Sequence, residues 1–125
     1  RSLNAKGSAA IQGITIRDDL FERYRGSEDF IQKYIFPGGF LPSLGFMKSL
    51  IEKNSLNLLK VNSYPDDYAK TLATWRENFL KVWTNIAPLG FDETFKRMWE
   101  FYLSYCEAGF KSENIDLIQF SMSNK

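Results

Sequence analysis

Residues 8–16 have the sequence SAAIQGITI, a short apolar run rich in β-branched side chains that begins directly after a glycine. Such a run, bounded by a turn residue, predicts a buried β-strand. Side chains alternate along a strand, so Gln12 and Ile14 are expected on the same face. Gln12 is the polar side chain in the middle of the run. It is either a functional group or a buried, backbone-bonded amide.

The segments that follow the strand predict helices. Residues 17–26 are charged and predict a loop or a short turn of helix. Ser27, followed by two acids, indicates the N-terminus of a helix that runs to about Ile35, because acids favour the first turn. The sequence Pro-Gly-Gly at 37–39 ends that helix. Pro42 predicts the first turn of another helix, which extends to about Lys53.

Two further strands are predicted, over residues 56–63 and 114–122. Between them, apolar side chains at steps of three and four predict a helix from Pro65 to about Ile86 and another capped by Asp92. The order strand, helices, strand, helices, strand predicts an α/β fold. Three strands form a small sheet for so many helices, which indicates that further strands belong to the same domain.

Composition narrows the classes of function. Of 125 residues, 44% are apolar and 16% are aromatic, which predicts either a large core or a ring-lined pocket for an apolar or cationic ligand. The net charge of +1, with both signs interspersed, gives no basic patch for nucleic acid. The sequence has one cysteine and no histidine, so acid–base chemistry must use Asp, Glu, Tyr, Lys or a bound species. No signal peptide or membrane-spanning run is visible.

Four segments, in this order and at these separations, carry a specific resemblance. They are FIQKYIFPGGFLPS (residues 30–43), DYAKTLATW (residues 67–75), MWEFYLSYCEAGF (residues 98–110) and IDLIQFSMS (residues 115–123). Together they resemble the cyclopropane fatty acid synthase and mycolic acid cyclopropane synthase family over essentially the whole chain.

The resemblance implies the C-terminal portion of a class I, Rossmann-like S-adenosylmethionine-dependent methyltransferase fold, with the last three strands and their helical insertions. Residues 1–125 are then a single partial domain. The glycine-rich loop that holds the cofactor would lie upstream, and no GxGxG occurs in the sequence. The chain begins at Arg1 with residues that resemble the end of a helix. We therefore expect a fragment without the cofactor-binding N-terminal half, inactive and unable to bind S-adenosylmethionine alone.

The reaction implied by the resemblance transfers a methylene group from S-adenosylmethionine to a cis double bond of a lipid acyl chain. A methyl group adds to the double bond, a carbocation forms, and bound bicarbonate removes a proton so that the ring closes. The implied cofactors are S-adenosylmethionine and bicarbonate. The implied partners are phospholipid acyl chains, and the implied location is the cytoplasmic face of a membrane, as a peripheral protein.

By the same resemblance, Tyr68, Gln12 and Ile14 are the candidate bicarbonate site. Many family members carry histidine where this sequence has Gln12. An amide can still donate a hydrogen bond to an anion but cannot carry charge. The family's other anion ligands, a cysteine and a glutamate, would lie upstream. Cys106 does not match that cysteine and is expected in the core.

The candidate substrate-binding residues belong to the sequence YIFPGG. Phe36 is the first candidate for a ring near the sulfonium or the cation, and Tyr34 is the second. Simple packing is the alternative for both. Gly38 and Gly39 predict a turn that needs positive φ or a close approach of the backbone. The alternative for the glycines is a plain helix stop.

Two other functions remain open at this stage. A related lipid C-methyltransferase would share the fold and differ in product. A non-catalytic lipid-binding or scaffolding domain would lack the cofactor loop altogether. The strand at 8–16 would leave an apolar edge in the isolated chain, and we expect the chain to dimerise through this edge or by swapping.

Overall fold

The computed structural model describes residues 3–125; the predicted helix end at the N-terminus lies partly outside the described residues. The elements, in chain order, are β1 (Ser8–Ile16), α1 (Asp18–Arg25), a π-helical turn (Ile31–Ile35), α2 (Leu44–Lys53), β2 (Leu56–Ser63), α3 (Pro65–Lys81), α4 (Trp83–Ile86), a 3₁₀ turn (Ala87–Leu89), α5 (Glu93–Lys111) and β3 (Ile115–Asn124).

The described strands form one sheet with the order β1-β3-β2, in which β3 is antiparallel to both neighbours. The last strand is therefore inserted between the first two, which run parallel to each other. The three predicted strands are confirmed, and so is the α/β class.

Helices cover both faces of the sheet. On one face α3 and α5 pack together around a core of Ala69, Leu72, Leu103 and Phe110. On the other face α2 contributes Ile51, which packs with side chains of β3. Alternation along β3 directs successive side chains to the two cores.

β1 differs from its prediction in one respect. It is a strand, but only Thr15 and Ile16 are buried, so the predicted burial of the whole segment is wrong. The reason is its place at the edge of the sheet. Among residues 3–125, β3 is the one strand that pairs with β1. On the other side of β1, only its last residue is bonded, since the Ile16 amide donates to the carbonyl oxygen of Pro42 (3.0 Å).

The helices also depart from prediction. The charged segment after β1 forms the full helix α1, which ends at Arg25. Ser27 follows this end and donates its hydroxyl to the Arg23 carbonyl oxygen (3.0 Å). The helix predicted from Ser27 is only a π-helical turn. Helix α2 begins after Ser43, whose hydroxyl oxygen caps it by accepting from the Phe46 amide (3.2 Å). The long helix predicted to Ile86 ends at Lys81.

Within the part of the chain that the structure describes, no helix combines the length and apolar character that crossing a membrane requires.

Candidate functional site

A cavity of about 850 Å³ opens beside the carboxyl end of β1. Its walls come from the end of β1, the start of β3, α1, the π-helical turn, the turn that follows it, α3 and α5. Ligand sites in α/β sheets commonly lie at the carboxyl ends of the parallel strands. The walls are mainly apolar and aromatic. They include Ile14, Ile16, Phe36, Phe40, Leu41, Tyr68, Leu72, Tyr102, Tyr105, Cys106, Phe110 and Ile115.

The cavity brings together four of the seven predicted site residues, namely Ile14, Phe36, Gly39 and Tyr68. Gln12, Tyr34 and Gly38 do not line it.

Tyr68 lies in the first turn of α3, directly after the end of β2. Its ring meets Phe110 edge to face, with centroids 4.8 Å apart. Its hydroxyl makes no hydrogen bond to any residue between 3 and 125. Burial, reinforced by the neighbouring Cys106, raises the pKa of this phenol. Tyr68 therefore keeps its proton at neutral pH and offers a hydrogen-bond donor to the cavity.

A tight turn places Phe36. The Gly39 amide donates to the Phe36 carbonyl oxygen (2.8 Å), Pro37 is the second residue, and Gly38 has φ of +78°. These features define a type II turn, which needs positive φ at its third residue. At Gly39 an added Cβ would lie 2.9 Å from the Phe36 carbonyl oxygen. One glycine therefore supplies the positive φ, and the other permits the close approach.

Gln12 lies two residues before the cavity-lining Ile14 on β1, and the two side chains are on the same face of the strand. Gln12 is exposed, and its Oε1 accepts a hydrogen bond from Nε2 of Gln119 (2.9 Å). Gln119 faces it directly on β3. The sequence left open that Gln12 is a buried amide bonded to the backbone. In the structure its side chain is exposed and bonds to another side chain, so that alternative is wrong.

The ring of Tyr34 is 53% exposed and packs against Phe30, with centroids 5.3 Å apart. The ammonium of Lys33 lies 5.2 Å from the centre of the Tyr34 ring. Tyr34 therefore belongs to an aromatic group on the outer surface, next to the segment that carries Phe36.

Sequence reasoning missed several cavity residues on α5. Tyr102, Cys106 and Phe110 follow one another at steps of four and so share one face of the helix. Their spacing was visible in the sequence, but the same spacing serves a core. Cys106 is both a core residue and a cavity residue: it is half-buried, packs against the core and lines the cavity. Burial, with the negative charge of Asp29, raises the pKa of its thiol to about 11.

The cavity also has a polar end, which the sequence did not indicate. Asp29 is the one carboxylate among its described lining residues, and its Oδ1 accepts from the Gln32 amide (2.9 Å). The hydroxyl of Tyr24 accepts from the Leu41 amide (3.0 Å). Burial, and then the charge of Asp29, raises the pKa of Tyr105.

This arrangement can hold an apolar chain away from water and can stabilise positive charge against ring faces. Its phenol groups are protonated donors at neutral pH. Among the described lining residues, the carboxylate of Asp29 is available as a proton acceptor, and a bound anion could also serve.

Solved methyltransferase structures share this architecture. Mycolic acid cyclopropane synthase CmaA1, in a structure with SAH and CTAB, matches with a TM-score of 0.83 at 27% identity, over 96% of this chain and 45% of that chain. The cyclopropane synthase MmaA2 from Mycobacterium tuberculosis matches in fold, also with a TM-score of 0.83. The chain is thus part of an S-adenosylmethionine-dependent methyltransferase fold, as predicted.

The family assignment comes from the sequence. Residues 1–120 match the family described as Mycolic acid cyclopropane synthetase, and the chain belongs to that family. The resemblance found in the four sequence segments is confirmed.

Curated relatives agree with this assignment. The chain is 43% identical over 117 residues, 93% of its length, to the tuberculostearic acid methyltransferase UfaA1 of Mycobacterium tuberculosis. It is 36% identical over 96 residues, 77% of its length, to the cyclopropane-fatty-acyl-phospholipid synthase of Escherichia coli strain K12. It spans only 27% and 25% of the lengths of these two proteins.

Proposed function

We propose that this chain forms the acyl-binding and base-holding part of an enzyme that transfers a methylene group from S-adenosylmethionine to a cis double bond of a phospholipid acyl chain. The observation that carries the proposal is the position of Tyr68, Ile14 and Phe36 on one ring-walled, mainly apolar cavity. An apolar cavity suits an acyl chain, and water would quench a carbocation.

Different residues of the cavity wall have different roles in the proposed reaction. The rings of Phe36 and Tyr102 stand edge to face on the cavity wall, where ring faces can stabilise a developing positive charge. The side chains of Leu72 and Phe110 close the cavity toward the core and exclude water from it. The Tyr68 hydroxyl, free of partners among the described residues, holds an anion by donating a hydrogen bond.

The two implied small molecules fit this chain differently. The Tyr68 hydroxyl, which makes no hydrogen bond within residues 3–125, can donate one to bicarbonate. Gln12 and the backbone of Ile14 would also hold this anion. No glycine-rich loop for S-adenosylmethionine occurs in these 125 residues, so its binding belongs to another part of a longer protein. When both are bound, S-adenosylmethionine supplies the carbon and bicarbonate supplies the base. The chain alone is then inactive.

A second product is favoured by one observation. The 43% identical relative is named a tuberculostearic acid methyltransferase rather than a cyclopropane synthase. Removing a proton from the new methyl group closes a ring, whereas removing one from a neighbouring carbon leaves a methyl-branched alkene. The position of the base relative to the acyl chain decides between them.

The test is to express the complete natural protein in a host without cyclopropane lipids and to analyse its fatty acids. Mass spectrometry should show a gain of one CH₂ for either product. Resistance to mild hydrogenation identifies the ring, and uptake of hydrogen identifies the branched alkene. The matched control is Tyr68→Phe, which removes only the hydroxyl and should reduce the product. A folded, complete protein that changes no fatty acid would favour the lipid-binding or scaffolding alternative.

A further inference from the structure

We propose that Gln32 is a positioning residue, which fixes the turn that carries Phe36 and so holds the Phe36 ring on the cavity wall. This inference rests on the proposed function, in which Phe36 stabilises a developing positive charge. Gln32 is half-buried and itself lines the cavity.

Phe36 needs such support because packing restrains its ring only weakly. The residue is 55% exposed, and Tyr102 is its one aromatic partner among residues 3–125, with ring centroids 6.0 Å apart. A ring stabilises a cation only when its face is directed at the charge within about 6 Å of the ring centre. The backbone that carries Phe36 must therefore set where the ring lies.

The side-chain amide of Gln32 is bonded to the backbone at both of its ends. Its Oε1 accepts from the Asp29 amide (3.0 Å), and its Nε2 donates to the Gly39 carbonyl oxygen (3.2 Å). A backbone N–H can only donate and a backbone C=O can only accept, so these two partners fix the orientation of the Gln32 amide. Asp29 in turn accepts from the backbone amide of Gln32 at Oδ1 (2.9 Å).

These bonds close a segment that contains Phe36, from Asp29 at its start to Gly39 at its end. Inside the segment, the Phe36 amide donates to the Ile31 carbonyl oxygen (2.8 Å), and the Phe36 carbonyl oxygen accepts from the Gly39 amide (2.8 Å). Both backbone groups of Phe36 are thus bonded within the segment. Two successive glycines give its turn unusual backbone freedom, so the bond from Gln32 to Gly39 has more movement to restrain there than at other residues.

The experiment compares two substitutions of Gln32 in the complete protein, with the modified fatty acids measured by mass spectrometry. Gln32→Met removes both side-chain bonds while keeping the length of the side chain. Gln32→Glu keeps an acceptor for the Asp29 amide and loses the donor to Gly39. Each should lower kcat at saturating lipid about fivefold, which is the effect of one hydrogen bond of ordinary net strength. The KM for lipid should change little, because the ring acts on the transition state.

The two variants separate the two bonds. A loss confined to Gln32→Met would assign the effect to the bond with Asp29, and a loss confined to Gln32→Glu would assign it to the new charge. Either result would overturn the inference. The matched control is Asn54→Asp, which removes a side-chain donor to the Leu50 carbonyl oxygen (2.8 Å) outside the cavity and should leave kcat unchanged.

A double-variant comparison separates positioning from a general structural role. In a Phe36→Ala background, Gln32→Met should have no further effect on kcat. An equal fold-loss in both backgrounds would show that Gln32 acts independently of Phe36, and it would overturn the inference. Urea unfolding midpoints are compared for all variants. A loss of kcat that follows a loss of folded protein would make Gln32 merely structural and would also overturn the inference.

Failure of the two proposals gives different results. If the wild type is active and Phe36→Ala lowers kcat while Gln32→Met does not, the proposed function stands and the positioning role is overturned. If the complete wild-type protein changes no fatty acid, the proposed function itself fails, and the inference fails with it.

Discussion

Phe36 and Tyr102 meet edge to face on the wall of the cavity, with ring centroids 6.0 Å apart and planes at 83°. Phe36 comes from the turn after the π-helical segment, and Tyr102 comes from α5. The sequence motif identified Phe36 as a candidate site residue. Tyr102 was not a candidate, and the structure brings it into contact with Phe36.

The first prediction concerns this pair in the complete protein. Phe36→Ala should lower kcat/KM about tenfold, because one ring face near the developing cation is lost. Phe91→Ala removes a similarly exposed ring that does not line the cavity, and it should leave kcat/KM unchanged. Equal losses in the two variants would contradict a role for Phe36 at the cation.

The glycines of the turn give a second prediction. Gly39→Ala should displace the Phe36 backbone, because the new Cβ would lie 2.9 Å from the Phe36 carbonyl oxygen. We expect weaker binding of a long-chain cationic amphiphile, measured by calorimetry. At Gly13 an added Cβ would meet nothing within 4 Å, so Gly13→Ala is the matched control. Unchanged binding by Gly39→Ala would separate the turn from the site.

Cys106 gives a prediction that depends on pH. A thiol with a pKa of about 11 is almost wholly protonated at neutral pH, and only the thiolate reacts with iodoacetamide. The alkylation rate of Cys106, followed by peptide-resolved mass spectrometry, should keep rising about tenfold per pH unit up to the highest pH at which the protein stays folded. Urea-unfolded protein is the control. A plateau near the pKa of an ordinary cysteine would contradict this assignment.

An ion pair centred on the buried carboxylate of Glu107 links the two helices that carry Tyr68 and Tyr102. Glu107 on α5 accepts from Lys111 on the same helix and pairs with Arg76 on α3 (3.1 Å). Glu107→Gln should lower the free energy of unfolding by about 2 kcal/mol at neutral pH, measured by urea denaturation. The exposed pair of Arg17 with Asp19 offers a control, since Asp19→Asn should leave the unfolding midpoint unchanged.

The same pair predicts a pH dependence. The hydrogen bond from Lys111, with the charge of Arg76, lowers the pKa of Glu107 in the folded protein. Its contribution is therefore complete above the pKa of an unfolded glutamate, about 4.3, and is lost as the pH falls through the folded value. The difference between wild type and Glu107→Gln should shrink under acid conditions. A difference that grows with acid would contradict the assignment.

The edge of β1 gives the last prediction. We propose that the isolated chain self-associates there, because from Ser8 to Thr15 the outer edge of the strand is free of backbone pairing within residues 3–125. Sedimentation velocity should show a dimer that dissociates on dilution. Ile11→Lys should favour the monomer, whereas Leu59→Lys on β2, the opposite edge, should not. A monomer at all concentrations would count against this edge.

The sequence alone determined the family, the three strands, the helices that begin near Pro65 and Asp92, and part of the site. Motifs such as YIFPGG and DYAKTL are local in the sequence. The type II turn at Gly38 is local too, because the hydrogen bond that closes it joins Phe36 and Gly39, which are three positions apart. Phe36 and Tyr68 could be selected because each lies in such a motif, and Ile14 because the family resemblance implied a site residue in the strand at 8–16.

The tertiary structure decided the rest. The burial of β1 could not be predicted, because apolar composition does not reveal that a strand lies at the edge of its sheet. Asp29, Tyr105 and Cys106 join the cavity only because α5 passes the π-helical turn, which is far away in sequence. The bond between Gln12 and Gln119 depends on the register of two strands separated by nearly the whole chain. The backbone geometry of a turn depends on neighbouring residues, which the sequence shows directly, whereas contacts between distant residues form only when the whole chain packs.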